Sequence, residues 1–219
     1  MGFKTASAFA IAIAAVVSAS AFAESSLTTK FGAEAWLTDT KVNEVTRDGN
    51  TTPSVYVAVE HGIKYVPDAR LRYTSVDADY MAFDKLDLTL YYCVMEHDLM
   101  HFDAGMTFSD LGNTKYINPE NSASTTFDKT IWAWYGYAEI TVPNTNFDVI
   151  GEMNFGDSSG IKSTDLMAGV QYRLPVGENT LAFRGGYRVI DLESEEFPNT
   201  KGDPFIFANG FFAGAEFSF

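Results

Sequence analysis

Leu86-Asp87-Leu88-Thr89-Leu90-Tyr91-Tyr92-Cys93-Val94 is the stretch on which the fold turns. Leu86, Leu88, Leu90, Tyr92 and Val94 are apolar, and Asp87, Thr89, Tyr91 and Cys93 alternate with them. Successive side chains of an extended strand point to opposite faces, so this period of two puts one face against oil and the other against something wet. The pattern returns at Leu166, Ala168, Val170, Tyr172 and Leu174, set against Asp165, Met167, Gly169, Gln171 and Arg173. It returns again at Leu181, Phe183, Gly185, Tyr187 and Val189, and last at Phe211, Ala213, Ala215, Phe217 and Phe219 opposite Gly214, Glu216 and Ser218.

Ten segments read this way: Thr29 to Thr38, Ser54 to Lys64, Ala69 to Val76, Asp84 to Met95, Asp98 to Phe108, Thr130 to Val142, Phe147 to Gly156, Thr164 to Leu174, Thr180 to Asp191 and Phe205 to Phe219. Most are near the roughly 9–11 residues that a tilted strand needs to cross a bilayer. Alternate connections are short and turn-like, as at Tyr65 to Asp68, Pro143 to Asn146 and Pro175 to Asn179. The others are long, notably Asp39 to Pro53, Ser109 to Lys129 and Leu192 to Pro204. Short turns on one side and long loops on the other are the layout of an outer-membrane barrel with periplasmic turns and extracellular loops. The expected fold is therefore all-β: a closed antiparallel transmembrane β-barrel of about ten strands, with eight as the alternative count. Closure is a physical demand, because an open sheet edge in hydrocarbon leaves unpaired N–H and C=O groups.

The N-terminus supports export. Residues 1–23 hold one cation at Lys4, an apolar run from Ala8 to Val17 and the small-residue site Ala21-Phe22-Ala23. That is the grammar of a cleaved signal peptide, and the apolar run is shorter than the roughly 20 residues of a spanning helix. Residues 24–219 are then the barrel, expected in the outer membrane of a Gram-negative bacterium. A soluble barrel or sandwich shares the alternation. The closing strand argues against it, because Phe217 and Phe219 stand on its apolar face like an assembly signal for the outer-membrane insertion machinery. Phe108, Trp132 and Trp134 near the outer strand ends, and Tyr65, Phe147 and Phe219 near the inner ones, are expected to form aromatic girdles. Trp36, sharing parity with Glu34, is expected inside near the outer mouth.

In layout, and most specifically at Asp87 to Tyr92, at Tyr56-Val57-Ala58-Val59-Glu60-His61 and at Phe211 to Phe219, the chain resembles the small uncharacterised Gram-negative outer-membrane β-barrel proteins. The resemblance implies the fold and assigns no activity.

Composition narrows the function. The chain has 15 basic against 29 acidic residues, a net charge of −14, and loss of the leader with Lys4 makes it more negative still. Nucleic-acid binding, which needs Lys and Arg to neutralise phosphates, is not expected. The single cysteine, Cys93, excludes an internal disulfide. If the apolar parity faces lipid, the lumen receives Glu34, Glu60, Arg70, Arg72, Asp87, Asp103, Glu139, Asp148, Glu152, Asp165, Arg173, Arg184, Arg188 and Glu216. Arginine binds carboxylate bidentately, so pairing is the expected solution to confining these charges. Arg173, Arg184, Arg188, Glu216 and Glu34 are expected to pair along one wall, since strands eight, nine, ten and one become neighbours on closure.

Two readings of the lumen stay open. One is a polar filling that stiffens a narrow barrel with a structural or surface-interaction role; the other is a narrow porin-like channel for small solutes or ions. Ten strands fall nearer the filled end of the range. A lipid-modifying outer-membrane enzyme is the third class. His61, His97 and His101 lie at periplasmic strand ends, however, far from Ser109, Asp110, Ser122 and Ser124, and no enzyme, cofactor or metal site is expected. Spacing alone would allow a metal cluster of His97, His101 and Asp103, and Cys93 reads as a small lumen filler. The outer loops are acidic, with Asp39, Glu44, Asp48, Asp77, Asp79, Asp110, Glu120, Asp128, Asp157, Glu193, Glu195, Glu196 and Asp203. They would suit divalent cations bridging to lipopolysaccharide phosphates, although no loop has EF-hand spacing. Outer-membrane lipids, lipopolysaccharide and the assembly machinery are thus the expected partners.

Overall fold

A computed structural model describes residues 27–42, 45–78, 80–118, 121–194, 197 and 205–219. The leader at 1–23 lies outside the described residues, as do Glu44, Asp79, Glu120, Glu195, Glu196 and Asp203. The strands are β1 (Thr28–Val42), β2 (Val45–Glu60), β3 (Asp68–Ala78), β4 (Met81–His97), β5 (Met100–Ile117), β6 (Ser124–Thr125), β7 (Lys129–Thr141), β8 (Phe147–Ser158), β9 (Ile161–Val176), β10 (Asn179–Glu193) and β11 (Phe205–Ser218). All pairings are antiparallel; β6 is a two-residue ladder on β5, and the other ten form the barrel wall.

Neighbouring strands follow chain order around the wall, with β4 beside β5, β5 beside β7, and β1 beside β11. The β1–β11 seam runs in register from Lys30 opposite Ser218 to Val42 opposite Ile206. Thr29 and Phe219 extend it by exchanging backbone hydrogen bonds of 2.8 and 3.0 Å. Among the described residues the ten wall strands close on themselves with both edges paired, which satisfies the backbone in the way that hydrocarbon requires. Both described ends of the chain lie at one end of the barrel, here the terminal end; the opposite end is the far end.

Most strands run further toward the far end than their outward apolar pattern suggests. The expected long excursion from Asp39 to Pro53 is built as an extension of β1 and β2, with Thr40 still paired to Arg47. Similarly, β5 continues to Ile117, leaving the long connections at 118–128 and 194–204. In the far-end parts of β4, β5 and β10 the alternation persists but its sense reverses. On β4 the inward residues run Met81, Phe83, Lys85, Asp87, Thr89 and Tyr91, all buried, while the outward ones run Ala82, Asp84, Leu86, Leu88, Leu90 and Tyr92. On these strands the wall is oily inside and polar outside toward the far end; over the rest it is polar inside and oily outside. The outward apolar pattern therefore stops short of the true far end on most strands.

The turns follow local chemistry. Ser159 and Gly160 both have positive φ, at 56° and 75°, as a tight two-residue hairpin with right-handed strand twist requires. Asn144 adopts φ 61° in the expected Pro143 to Asn146 turn, a region that asparagine tolerates better than most residues.

Candidate functional site

The reversed extensions enclose an apolar plug at the far end. Trp36, Val76, Met81, Phe83, Leu111, Tyr116, Phe127, Ile131, Ile161, Met167, Ile190, Leu192, Phe197, Ile206, Ala208 and Phe212 form one buried cluster. Phe127 and Phe197 come from the two long connections, and their rings meet edge to face with centroids 5.0 Å apart. Tyr116 stacks on Phe197 at 5.2 Å. Trp36 sits inside near that end, as its parity requires, and donates from Nε1 to the Gly210 carbonyl at 3.1 Å.

Below the plug lies a buried layer of ion pairs. Glu152 is held by two arginines at once: Arg70 reaches its two oxygens at 2.8 and 2.7 Å, and Arg72 at 2.7 and 3.2 Å. Beside it, Arg188 forks onto Asp165 at 2.9 and 2.8 Å. Lys85 bridges Asp87 at 2.5 Å and Asp165 at 3.2 Å, and the Ser109 hydroxyl donates to Asp87 at 2.6 Å. The Arg188 guanidinium also lies 5.2 Å from the Trp36 ring centre, joining this layer to the plug.

Tyr56 stands at the centre of the next layer. Its hydroxyl donates to Glu216 at 2.5 Å and accepts from Arg184, which lies 3.4 Å from Glu34 and 3.5 Å from Glu216. Arg70, Arg72 and Arg184 face its ring at 6.0, 5.1 and 5.7 Å, within cation–π range. Gly32 makes this position possible, because a Cβ there would stand 2.1 Å from the ring. A hollow of about 40 Å³ bordered by Lys30, Glu60, Tyr137 and Glu139 remains, room for about two or three waters.

Near the terminal end the expected charges are distributed over several contacts. Glu60 takes Lys30 at 2.6 Å and the Tyr91 hydroxyl at 3.0 Å. Glu139 accepts from Tyr137 and Gln171, both at 2.9 Å. Arg173 pairs with Asp148 at 2.7 Å, and Asp103 with His101 at 2.7 Å. The expected single wall of five charges is thus divided. Arg184 meets Glu34 and Glu216, whereas Arg188 turns to Asp165 and Arg173 to Asp148, because Asp165 and Asp148 lie on the neighbouring strands β9 and β8 within a guanidinium's reach.

Sequence reasoning passed over Lys30, Lys85 and the inward tyrosines Tyr56, Tyr135 and Tyr137, and placed Tyr91 on the inward parity without giving it a role. The lysines share the parity of residues that it chose, so the same period of two would have found them; tyrosine is ambiguous because it serves either face. Cys93 is not a lumen filler: it is exposed at the terminal-end mouth, since β4 outruns the packed interior there. Outside, Phe108, Trp132 and Trp134 are exposed, with Phe108 in register with Trp132 and the two indoles 5.7 Å apart. Phe217 and Phe219 rings lie 5.8 Å apart on the last strand, and Tyr65 and Phe147 are exposed at the same end.

No protein-family model matches the chain, and no curated protein does. Among solved structures, the chain is similar to the β domain of the Bordetella autotransporter BrkA, with a TM-score of 0.49, 11% identity, and coverage of 88% of this chain and 98% of that one. It is also similar to Neisserial surface protein A, with a TM-score of 0.38, 12% identity and coverage of 88% and 97%. The outer-membrane protease OmpT from Escherichia coli gives a TM-score of 0.38, 10% identity and coverage of 88% and 93%. At such distances the fold assignment rests on this chain's own strand pairing.

Proposed function

We propose that the chain is an integral outer-membrane barrel, exported by its leader, whose interior is sealed, and that it acts as a structural or surface-interaction protein rather than a conduit. The observation that carries the reading is the stacking of an aromatic plug on a layer of mutually paired charges across the bore. A solute path needs continuous water; here the far half is filled by Trp36, Phe83, Tyr116, Phe127 and Phe197. The membrane assignment is supported by the outward belt of exposed Leu86, Leu88, Val149, Met153, Leu166, Val170 and Phe183. A belt of this kind is far larger than the apolar patches that soluble monomers tolerate. In this orientation the terminal end faces the periplasm, and the protruding extensions face outward toward lipopolysaccharide. Their exposed acids, among them Asp39, Asp110 and Asp157, are then candidates for divalent-cation bridges to its phosphates.

The deciding measurement is single-channel conductance of the purified barrel in planar bilayers. Silence at moderate voltage is expected, and steady discrete steps from the wild-type protein would refute the sealed interior.

A further inference from the structure

The β4–β5 hairpin at the terminal end gathers three chemically different metal-ligating side chains. Cys93 Sγ, a Glu96 carboxylate oxygen and a His101 ring nitrogen all lie within 4.8 Å of one another. Cys93 Sγ is 3.6 Å from Glu96 Oε2 and 3.9 Å from His101 Nδ1, and Glu96 Oε2 touches the same nitrogen.

A backbone irregularity creates the cluster. Cys93 stands opposite Asp103, but the next registered pairs are Met95 with Phe102 and Glu96 with His101, so β4 carries one additional residue. Such a bulge turns the alternation over. Glu96 joins the face of Cys93, where strict alternation would have placed His97. Two successive cross-strand pairs, Cys93 with Asp103 and Glu96 with His101, then present their side chains to one side. The trio that spacing alone allows, His97, His101 and Asp103, is not the one assembled, because period-two counting runs straight through a bulge that the sequence does not announce.

Each component suits a divalent d-block cation. Buried Asp103 lies 2.7 Å from His101 Nε2, and an outer carboxylate of this kind orients a metal-bound imidazole and leaves its other nitrogen for the ion. Around tetrahedral zinc, with Zn–S near 2.3 Å and Zn–N near 2.0 Å, ligand atoms stand about 3.3–3.5 Å apart. The sulfur separations of 3.6 and 3.9 Å are already close to that spacing. The ion would replace the proton that Glu96 and His101 share, and the thiol would release its own. A hollow of about 200 Å³, lined also by Thr28, His61, Asp68 and Tyr91, adjoins the cluster and leaves room for a water as fourth ligand. Thiolate, imidazole and carboxylate together differ from the all-oxygen sets of calcium and magnesium.

The geometry points to a Zn²⁺ site formed by Cys93, Glu96 and His101, with Asp103 positioning the imidazole. Only its exposure to the periplasm rests on the proposed orientation; metal binding and conductance can succeed or fail separately.

The test uses the barrel in detergent, reduced and stripped with a chelator, then titrated with Co²⁺ and Zn²⁺. One equivalent should bind, with a thiolate-to-cobalt charge-transfer band. C93S should abolish the band, and because Cys93 is exposed this change removes no packing. E96Q and H101Q should each weaken Zn²⁺ binding at least about tenfold, and D103N about 10–100-fold with the band retained. Excess Mg²⁺ should change nothing, and far-ultraviolet circular dichroism should show each variant folded. Absence of stoichiometric binding, full affinity in C93S, or displacement by Mg²⁺ as from loop carboxylates would overturn the site. Full affinity in D103N would remove Asp103 from it.

Discussion

Replacing Glu152 with glutamine puts the buried charge layer to its sharpest test. The substitution keeps the shape and removes the charge, and it turns one of two carboxylate oxygens into an N–H₂ group. Glu152 now accepts four guanidinium hydrogen bonds, two from Arg70 and two from Arg72. In the variant, two of those donors face another donor. At about 1.5–3 kcal/mol for each hydrogen bond to a charged group, losing two gives about 3–6 kcal/mol. The cost of breaking a buried ion pair, about 3–5 kcal/mol, falls in the same range. Both arginines also remain, and of the acids paired with Arg70, Arg72, Lys85 and Arg188 only Asp87 and Asp165 keep their charge in the variant. The assay is urea unfolding of the barrel in lipid vesicles, followed by fluorescence of Trp36, Trp132 and Trp134. E193Q, which breaks the exposed Lys162–Glu193 pair, serves as the control and should leave the transition where it is. A loss in E152Q below about 1 kcal/mol, the size of one ordinary hydrogen bond, would refute the reasoning. So would a triple R70M/R72M/E152L variant as damaged as E152Q, since a well-packed apolar replacement leaves no stranded charge.

The outward face of β4 should show a gradient. L88R in the apolar belt is expected to cost about 2–4 kcal/mol and A82R near the far end about 0–1 kcal/mol, and equal costs on refolding would place the membrane wrongly. W36A should cost about 3–5 kcal/mol and admit ions in planar bilayers; an unchanged, silent barrel would show that the plug does not depend on the indole. Deleting Phe219 removes the hydrogen-bonded pair with Thr29 at the foot of the seam, so less folded barrel should accumulate in outer membranes, measured by fractionation. In the 118–128 connection, the Thr114 hydroxyl and backbone N–H donate to Asp128 at 2.5 and 2.9 Å and hold its carboxyl below the usual range. A carboxyl lowered on folding contributes stability above its unfolded value, about pH 4, and loses it as pH falls through the folded value. T114V removes the hydroxyl and keeps the backbone N–H, so it should move Asp128 part of the way back toward the ordinary range in a carboxyl NMR titration, and no movement would dismiss the capping role of the hydroxyl.

The barrel was legible because period two survives in single strands such as Leu86 to Val94, where neighbouring chemistry differs sharply. The charge layer was legible in its members but not in its partners: parity puts Arg188 and Asp165 inside, yet which carboxylate a long guanidinium reaches depends on strand stagger. The plug was missed because Met81, Phe83, Ile190 and Leu192 are apolar on the inward parity, against the rule that served the rest of the chain. Only the position of each residue along the bore tells the two regimes apart. At the Cys93 mouth the obstacle was the bulge, a backbone event that shifts Glu96 onto the other face without a glycine or proline to mark it.

The seam between β1 and β11 has a kinetic consequence. Its partners are separated by nearly the whole sequence, so it is the pairing with the largest loop-closure cost, whereas every other pair in the wall can form from chain neighbours. Until it forms, two long strands present bare edges, the very surfaces that recruit other chains into aggregates. Zipping of the hairpins should therefore be fast and closure slow, with the open sheet as the species at risk. Whatever shields those edges during assembly governs the yield of barrel more than the strength of any contact inside it.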